Sequence, residues 1–462
     1  MLTMSANDRS YHTLLARHEA MRLRRRLLTP GNTAGAQGQP PAGEPYDGGA
    51  DQRTIMDHLD LVAPFEELIT HLYQALFTRH PSLRSLFPAS MEFQKAHLAR
   101  AFWYLIEHLD RPDDITRTFT QLGRDHRKLG LLPAQYAAFE AALCAALRIQ
   151  AGERRHVELE QAWVRMLRLG VAAMVRGADA ALHEPPCWRA TVTAHQLRGP
   201  GLAVLRLRPH ETFRYCAGQY VTLESARLPH TWRPYYPAGA PGQEELEFHV
   251  RRTGPGGVSD ALVCHTSIGD EVRIGPPKGN LTLGDEPLGE LRLVAWDTGW
   301  AAMKALLREL DARRGTGSEH RGCAVRLLMG AGTLSDLYDT DYLTTFASGR
   351  PWLTVVPLIA GAAPEERTRD RLVQAVAECL SPVAGPTLVA GPPTAVSAVT
   401  DALVRAGLPA EHLRHDLPSA GAREVRGNAA GAGPAGRAAP PGQPVRVPSA
   451  VALRVGPARL PM

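Results

Sequence analysis

"LGRDHRKLGLLPAQYAAF", residues 122–139, decides how the first half of this chain folds. Ile115, Phe119, Leu122 and His126 step by four, three and four, so the histidine continues the inward face of an amphipathic helix. Arg124, Arg127 and Lys128 flank it, and Tyr136 follows on the next helical pattern. Most histidines on such a face are core residues with a satisfied hydrogen bond. A ligand role has to come from the company His126 keeps.

Working outward, everything readable between 51 and 183 has helical period. "PFEELITHLYQALF" lines up Phe65, Leu68, Ile69, Leu72, Tyr73, Leu76 and Phe77 in one apolar stripe, and Phe93, Leu98, Phe102, Leu105 and Leu109 form a second. Tyr136, Phe139, Leu143 and Leu147 make a later helix, and Trp163, Met166, Leu167, Gly170 and Met174 another. After "HEPPCW" the period falls to two: "ATVTAHQL", "LAVLRLRP", "GQYVTLES", "ELEFHVRR" and "DEVRIG" predict strands of a small antiparallel barrel. From 290, "LRLVAW", "CAVRLLM", "WLTVVPLIA" and "PTLVAG" alternate with helical stretches ("AAMKALLREL", "RDRLVQAVAECL", "AVSAVTDALVRAG"), which predicts a parallel sheet with crossover helices. The expected order is a basic helix and Pro/Gly linker over 1–50, an all-α domain over 51–183, an antiparallel β-barrel over 187–286, an α/β parallel-sheet domain over 290–418 and a disordered tail over 419–462.

Composition narrows the function classes. The 462 residues are 44% hydrophobic and 21% charged, the balance of a globular protein, and no run of apolar residues is long enough to span a membrane. The N-terminus, charged throughout, does not read as a secretory signal. Six cysteines at 144, 187, 216, 264, 323 and 379 lack metal-site spacing and fit a reducing cytoplasm. A net charge of +5 without an aromatic-interleaved basic stripe argues against a nucleic-acid partner. "RLRRRL" at 22–27 is a solvated helix face.

The helical half resembles a globin, specifically the globin domain of flavohaemoglobins. Tyr73 and Gln94 match its distal polar residues, Phe87 its haem-packing phenylalanine, Leu98 the position one turn on, His126 the proximal ligand and Tyr136 the residue beneath it. Haem iron takes one neutral imidazole, and a hydroxyl and an amide opposite it can hold dioxygen by hydrogen bonds. The resemblance implies haem b, with dioxygen and nitric oxide as small-molecule ligands. Ala178, with Asp179 adjacent, stands where the family carries a glutamate that strengthens the proximal histidine. Asp125 stands where it carries a lysine facing the flavin domain. Both departures imply a weaker electron push and an altered haem–flavin contact.

The second half resembles the ferredoxin–NADP reductase superfamily, which completes flavohaemoglobins. In "RPYY", Arg233 and Tyr235 match the residues that neutralise the FAD pyrophosphate and stack on the flavin, while Tyr236 replaces a serine. Gly218, Gln219 and Tyr220 of "CAGQYV" match the preceding strand, and Gly256, Gly257, Val258 and Ser259 the glycine-rich turn. The NAD(P)H-binding turn is "VAWDTGWAAMKALL": only Gly299 remains, Asp297 is expected to repel a pyrophosphate, and Trp296 and Trp300 to crowd it. "AGPP", with Gly391 and Pro392, lacks the family's cysteine, and "RHDLPS" offers Asp416 but Pro418 where an aromatic would lie. The resemblance implies electron flow from NAD(P)H through FAD to haem and oxygen-dependent conversion of nitric oxide to nitrate. Two other readings stay open: a haem-based gas-binding or sensor protein with a vestigial reductase module, and a flavin–haem oxidoreductase with a donor other than a nicotinamide.

Overall fold

The computed structural model describes residues 47–416, apart from 89, 132, 155, 200, 285–288, 317–321 and 360–384. The chain divides at Cys187–Trp188 into two compact units, with the short stretch Pro229–Thr231 grouping with the first.

The first unit is helical: α1 Gly48–Asp57, α2 Phe65–Arg79, α3 Glu92–Glu107, α4 Pro112–His126, α5 Pro133–Ala151 and α6 Val157–Ala180. Pro112 at the first turn and Asp113 and Asp114 beside it start α4 where a proline costs no hydrogen bond and acidic groups meet the positive helix end. A further 3₁₀ turn, Arg127–Leu129, ends at Gly130 in the left-handed region, which closes the element. The core is built on Trp163, Phe102, Ile55, Leu68, Ile69 and Leu72, all fully buried, with Phe102 edge-on to Trp163 at 5.5 Å between ring centres. Two glycines let α4 and α6 touch backbone to backbone. A Cβ on Gly123 would lie 1.9 Å from the Met174 carbonyl oxygen, and one on Gly177 the same distance from that of Thr120. This contact holds the end of α4, and so His126, in one place.

The second unit holds two sheets. In the first, β1 Trp188–Gly199, β2 Leu202–Pro209, β3 Val221–Ser225, β4 Arg233–Tyr235, β5 Leu246–Arg251 and β6 Glu271–Ile274 run antiparallel in the order β4-β3-β6-β1-β2-β5. Its two edges meet at a bridge between Pro237 and Phe248, where the Ala238 amide donates to the Glu247 carbonyl at 2.8 Å, so the sheet closes as a barrel. Helix α7 (Val258–Cys264) follows the glycine-rich turn and buries Val258 and Leu262 in the barrel core.

The second sheet is parallel, in the order β11-β10-β7-β8-β9, from β7 Glu290–Trp296, β8 Ala324–Ala331, β9 Leu353–Ile359, β10 Thr387–Ala390 and β11 Leu413–His415. Helices α8 (Trp300–Thr316), α9 (Thr340–Ser348) and α10 (Pro393–Arg405) follow β7, β8 and β10. The expected fold class, an all-α domain, an antiparallel barrel and then a parallel α/β sheet, is what forms.

Particular elements differ from the sequence reading. Helix α1 begins inside the Pro/Gly-rich stretch, capped by the Asp47 carboxylate accepting from the Ala50 amide at 2.9 Å. Phe93, placed on an inward stripe by its spacing, is exposed and packs on the His97 ring. Strand β11 and helix α9 were not foreseen, being short and without a clear period. The N-terminal basic helix with most of its linker, the helix expected at 369–380, Pro418 and the tail lie outside the described residues.

Candidate functional site

At the end of α4 the His126 Nδ1 lies 2.9 Å from the Leu122 carbonyl oxygen one turn earlier. A carbonyl can only accept, so Nδ1 carries the proton and Nε2 is the nitrogen with a lone pair to offer a metal. The flanking charges are tied down. Arg124 pairs with the Glu184 carboxylate, Arg127 Nη2 donates to the Glu184 carbonyl at 2.8 Å, and Lys128 Nζ sits 2.6 Å from Asp125. Asp125 is therefore not the outward-facing charge expected from its position; it is buried and neutralised by Lys128. Asp179 is exposed, and the Leu122 main-chain oxygen lies against the imidazole Nδ1.

Opposite in sequence, α2 carries Tyr73 into the core at 7% exposure, edge-on to Phe87 at 5.7 Å and stacked near Phe77. Burial pushes its phenol well above the ordinary tyrosine value, so the hydroxyl stays protonated and can donate. Phe87, Leu98, Leu122 and Tyr136 pack against the same core cluster that contains Tyr73. Burial likewise pushes the Tyr136 phenol up to about 12. Among the described residues the buried Gln94 Oε1 has no hydrogen-bond partner. An acceptor left unmatched costs stability unless a bound group or water donates to it, and the same carboxamide carries in Nε2 the donor that dioxygen, itself only an acceptor, would need. The residues present fit a haem group.

In the barrel, Arg233 and Tyr235 lie on edge strand β4. Arg233 is half-buried, and desolvation draws its guanidinium below its usual value; Tyr235 is raised by burial. Gly256 and Gly257 face open space, where added Cβ atoms would meet nothing within 4 Å. Behind them Ser259 Oγ accepts from the Thr253 amide at 3.1 Å, and Asp260 accepts from the Gly256 amide at 2.8 Å while pairing with Arg252. Gln219 spends its side-chain oxygen on the Cys216 amide at 2.9 Å, which shapes the turn before β3. Tyr220 stands edge-on to Tyr236 at 6.0 Å. Tyr236 in turn donates to Asp416 at 3.4 Å, and the other Asp416 oxygen accepts from the Asn280 amide at 2.8 Å. Burial raises Asp416 to about 6 against the opposing pull of those two bonds. A partly desolvated arginine, an aromatic ring and an open glycine turn in one barrel fit FAD.

The nucleotide turn corrects three expectations. Asp297 does not project a bare charge: Arg251 of β5 grips its carboxylate with two nitrogens at 2.6–3.0 Å. Trp300 does not crowd the crevice, being wholly buried with its Nε1 donating to Asp339 at 3.0 Å. Gly299 does not keep room for a cofactor, since its missing Cβ would lie 2.1 Å from the Ala390 carbonyl oxygen. Trp296 does lie across the carboxyl edge. Its indole rests where a Cβ on Gly330 would sit, 2.0 Å away, and its own Cβ would be 2.8 Å from one on Gly391. Pro392 caps α10 at the same edge. Ligands of open α/β sheets bind at this edge, so Trp296 is the residue a dinucleotide would meet there.

Sequence reasoning missed a buried polar network beneath that turn. Lys304 Nζ bridges Glu247 at 2.8 Å and Asp339 at 2.6 Å, and the His249 ring joins Glu247 at 3.0 Å to the Tyr338 hydroxyl at 2.9 Å. Burial opposes the Glu247 charge, yet the bonds from His249 and Lys304 outweigh it and hold the carboxyl well below its ordinary value. Glu247, His249 and Asp339 converge closely enough to suit a metal ion, but the Lys304 ammonium already stands between the two carboxylates. A lysine inside the apolar run "AAMKALL" was the available signal.

Comparison with known proteins agrees with this architecture. A globin family model matches residues 70–174, and an oxidoreductase FAD-binding domain model matches residues 194–283. The chain is 26% identical over 274 residues to a flavohemoprotein of Chromobacterium violaceum, covering 54% of this chain and 67% of that one. It is 29% identical over 249 residues to the ferredoxin–NAD(P)(+) reductase component of a naphthalene 1,2-dioxygenase system from Pseudomonas putida, covering 53% and 69%. In fold it is similar to a flavohemoglobin from Malassezia yamatoensis solved with bound FAD and heme, at a TM-score of 0.65 and 15% identity, over 79% of this chain and 97% of that one. The fold and site thus define an oxidoreductase that joins a globin to a flavin-binding reductase module. In its pairing of a globin with an oxidoreductase FAD-binding domain the chain is similar to flavohaemoglobins, and its cofactors are haem, FAD and NAD(P)H.

Proposed function

We propose that this NAD(P)H-dependent oxidoreductase converts nitric oxide to nitrate at the globin unit, using dioxygen and electrons drawn from NAD(P)H through FAD. The observation that carries the reading is the buried Gln94 carboxamide, whose Oε1 has no partner among the described residues, in a unit whose helix α4 ends on an imidazole with Nδ1 turned to the Leu122 carbonyl. Haem supplies iron that binds dioxygen, and FAD accepts a hydride and releases electrons singly. His126 would hold the iron, with Leu122 fixing its tautomer. Tyr73, kept protonated by burial, would donate its hydroxyl and Gln94 its Nε2 to dioxygen, and Phe87, Leu98 and Tyr136 would wall the pocket.

In the reductase unit Arg233 would neutralise the flavin pyrophosphate and Tyr235 would stack on its ring. The open face of Gly256 and Gly257, braced by Val258 and Ser259, admits the phosphates. Gly218, Gln219 and Tyr220 position the strand beneath it. Gly391 and Pro392 would border the nicotinamide edge, with Trp296 across it and Gly299 packed on the Ala390 backbone behind it. We assign the reaction to the cytoplasm, in keeping with five described cysteines that are all free.

The test is an anaerobic absorption spectrum before and after NADH, followed by nitric oxide and dioxygen. Reduction of flavin and then haem, with nitrate formed in proportion to nitric oxide consumed, is the expected result. A haem band unmoved by NADH would support the gas-binding reading, which the position of Trp296 favours. A flavin reduced by chemical donors but not by NADH would support a non-nicotinamide donor.

A further inference from the structure

A cavity of about 220 Å³ opens on the reductase unit away from every residue assigned to a cofactor above. Alternate residues of β1 and β2 form one wall, where Ala194 pairs in register with Arg206 and its small side chain leaves the space open. The second and third turns of α8 and the start of α9 form the other, through Lys304, Arg308, Asp339 and Tyr342. Four cations line it against two carboxylates.

The distribution of those charges points to a ligand. Lys304, buried at the base, is matched by Glu247 and Asp339, and Arg206 reaches Glu247 at 3.5 Å. The hydrogen bonds found for the other two guanidiniums run to neutral groups: Arg198 Nη2 donates to Gln196 Oε1 at 2.9 Å, and Arg308 Nε to the Tyr342 hydroxyl at 2.9 Å. Two guanidiniums facing one small cavity, each held by a neutral acceptor instead of a carboxylate, are arranged as forked donors for an oxyanion. The surplus of two positive charges matches a dianion, and the volume admits a phosphate with a small organic group attached.

We propose that this cavity is a binding site for a small dianionic phosphate, inorganic phosphate or a phosphate monoester, gripped by Arg198 and Arg308. Its base is continuous with the nucleotide turn: Lys304 holds Asp339, and Asp339 accepts from Trp300, the residue after Gly299.

The experiment is calorimetric titration of the FAD- and haem-loaded full chain with inorganic phosphate and with glycerol phosphate, at ionic strength held constant with chloride and in the presence of saturating NAD⁺. Saturable binding of one equivalent is expected, weakened at least about tenfold in R198Q/R308Q, the loss of one charge-assisted pair or more. That variant should retain its haem and flavin content, which separates loss of the site from loss of the fold. Binding abolished by NAD⁺ would place the phosphate in the nucleotide crevice and overturn the proposal. So would binding undiminished in the variant, or a response reproduced by chloride alone. Stronger retention of glycerol phosphate than of inorganic phosphate would identify the monoester as the source.

Discussion

The end of α4 and the turn after β7 handle polar groups in opposite ways. Around His126 the helix-end charges pair among themselves, while the inward-facing Gln94 Oε1 of the same unit has no partner among the described residues. Beyond the carboxyl ends of β7, β8 and β11 the acidic groups are answered from within: Asp297 by Arg251, Asp339 by Lys304 and Trp300, and Asp416 by Tyr236 and Asn280. A site awaiting a polar ligand leaves a group unmatched, because a buried group already satisfied gains little by exchanging partners. A loop that has taken on unusual residues stays folded only if each new charge finds a counterpart.

The largest expected effect tests the first half of this contrast. His126→Gly should abolish haem retention in the full chain, read as loss of the haem absorption band, with flavin content unchanged; a variant that keeps stoichiometric haem would remove His126 from the site. Next comes the helix contact that positions it. Gly123→Ala forces a Cβ into the Met174 backbone, and the expected destabilisation of about 3 kcal/mol should appear as a lowered melting temperature of the haem-bearing chain.

The second half of the contrast can be broken at Arg251. Arg251→Met leaves Asp297 as an uncompensated carboxylate at the turn, and kcat/KM for NADH should fall about tenfold, the equivalent of roughly 1.4 kcal/mol. Trp296→Ala should do the reverse and lower KM for NADH several-fold by clearing the edge occupied by the indole. An unchanged KM would mean that the nucleotide enters elsewhere.

The last effect concerns pH. Asp416 titrates near 6 in the folded protein against 3.8 as its ordinary value. Between these values the folded state binds more protons than the unfolded chain, so stability falls as pH rises from about 4 to 6 and the cost persists above. Asp416→Asn should remove this slope, worth about 3 kcal/mol at neutral pH. Melting temperatures at pH 5 and pH 7.5 should show the variant gaining on the parent chain as pH rises; a constant difference would mean that Asp416 is not desolvated.

Much of this protein was legible in the sequence because its elements have strong period. The step of Ile115, Phe119, Leu122 and His126 predicts α4, and "LAVLRLRP" predicts β2 to the residue, since burial of one face imposes both patterns. His126 stood out for the same reason, a polar group where the period calls for an apolar one, whereas Tyr73 and Gln94 were singled out by the resemblance to a globin. Tertiary structure alone decided whether the odd residues were damage or repair. Asp297 looked hostile to a phosphate because its partner Arg251 lies 46 positions away on another sheet. Trp300 looked obstructive because nothing local says that Asp339 draws its indole inward. Charge neutralisation and packing act through space, between segments that the chain's order keeps far apart. Only the folded structure could show that Trp296 remains in the crevice while its neighbours do not.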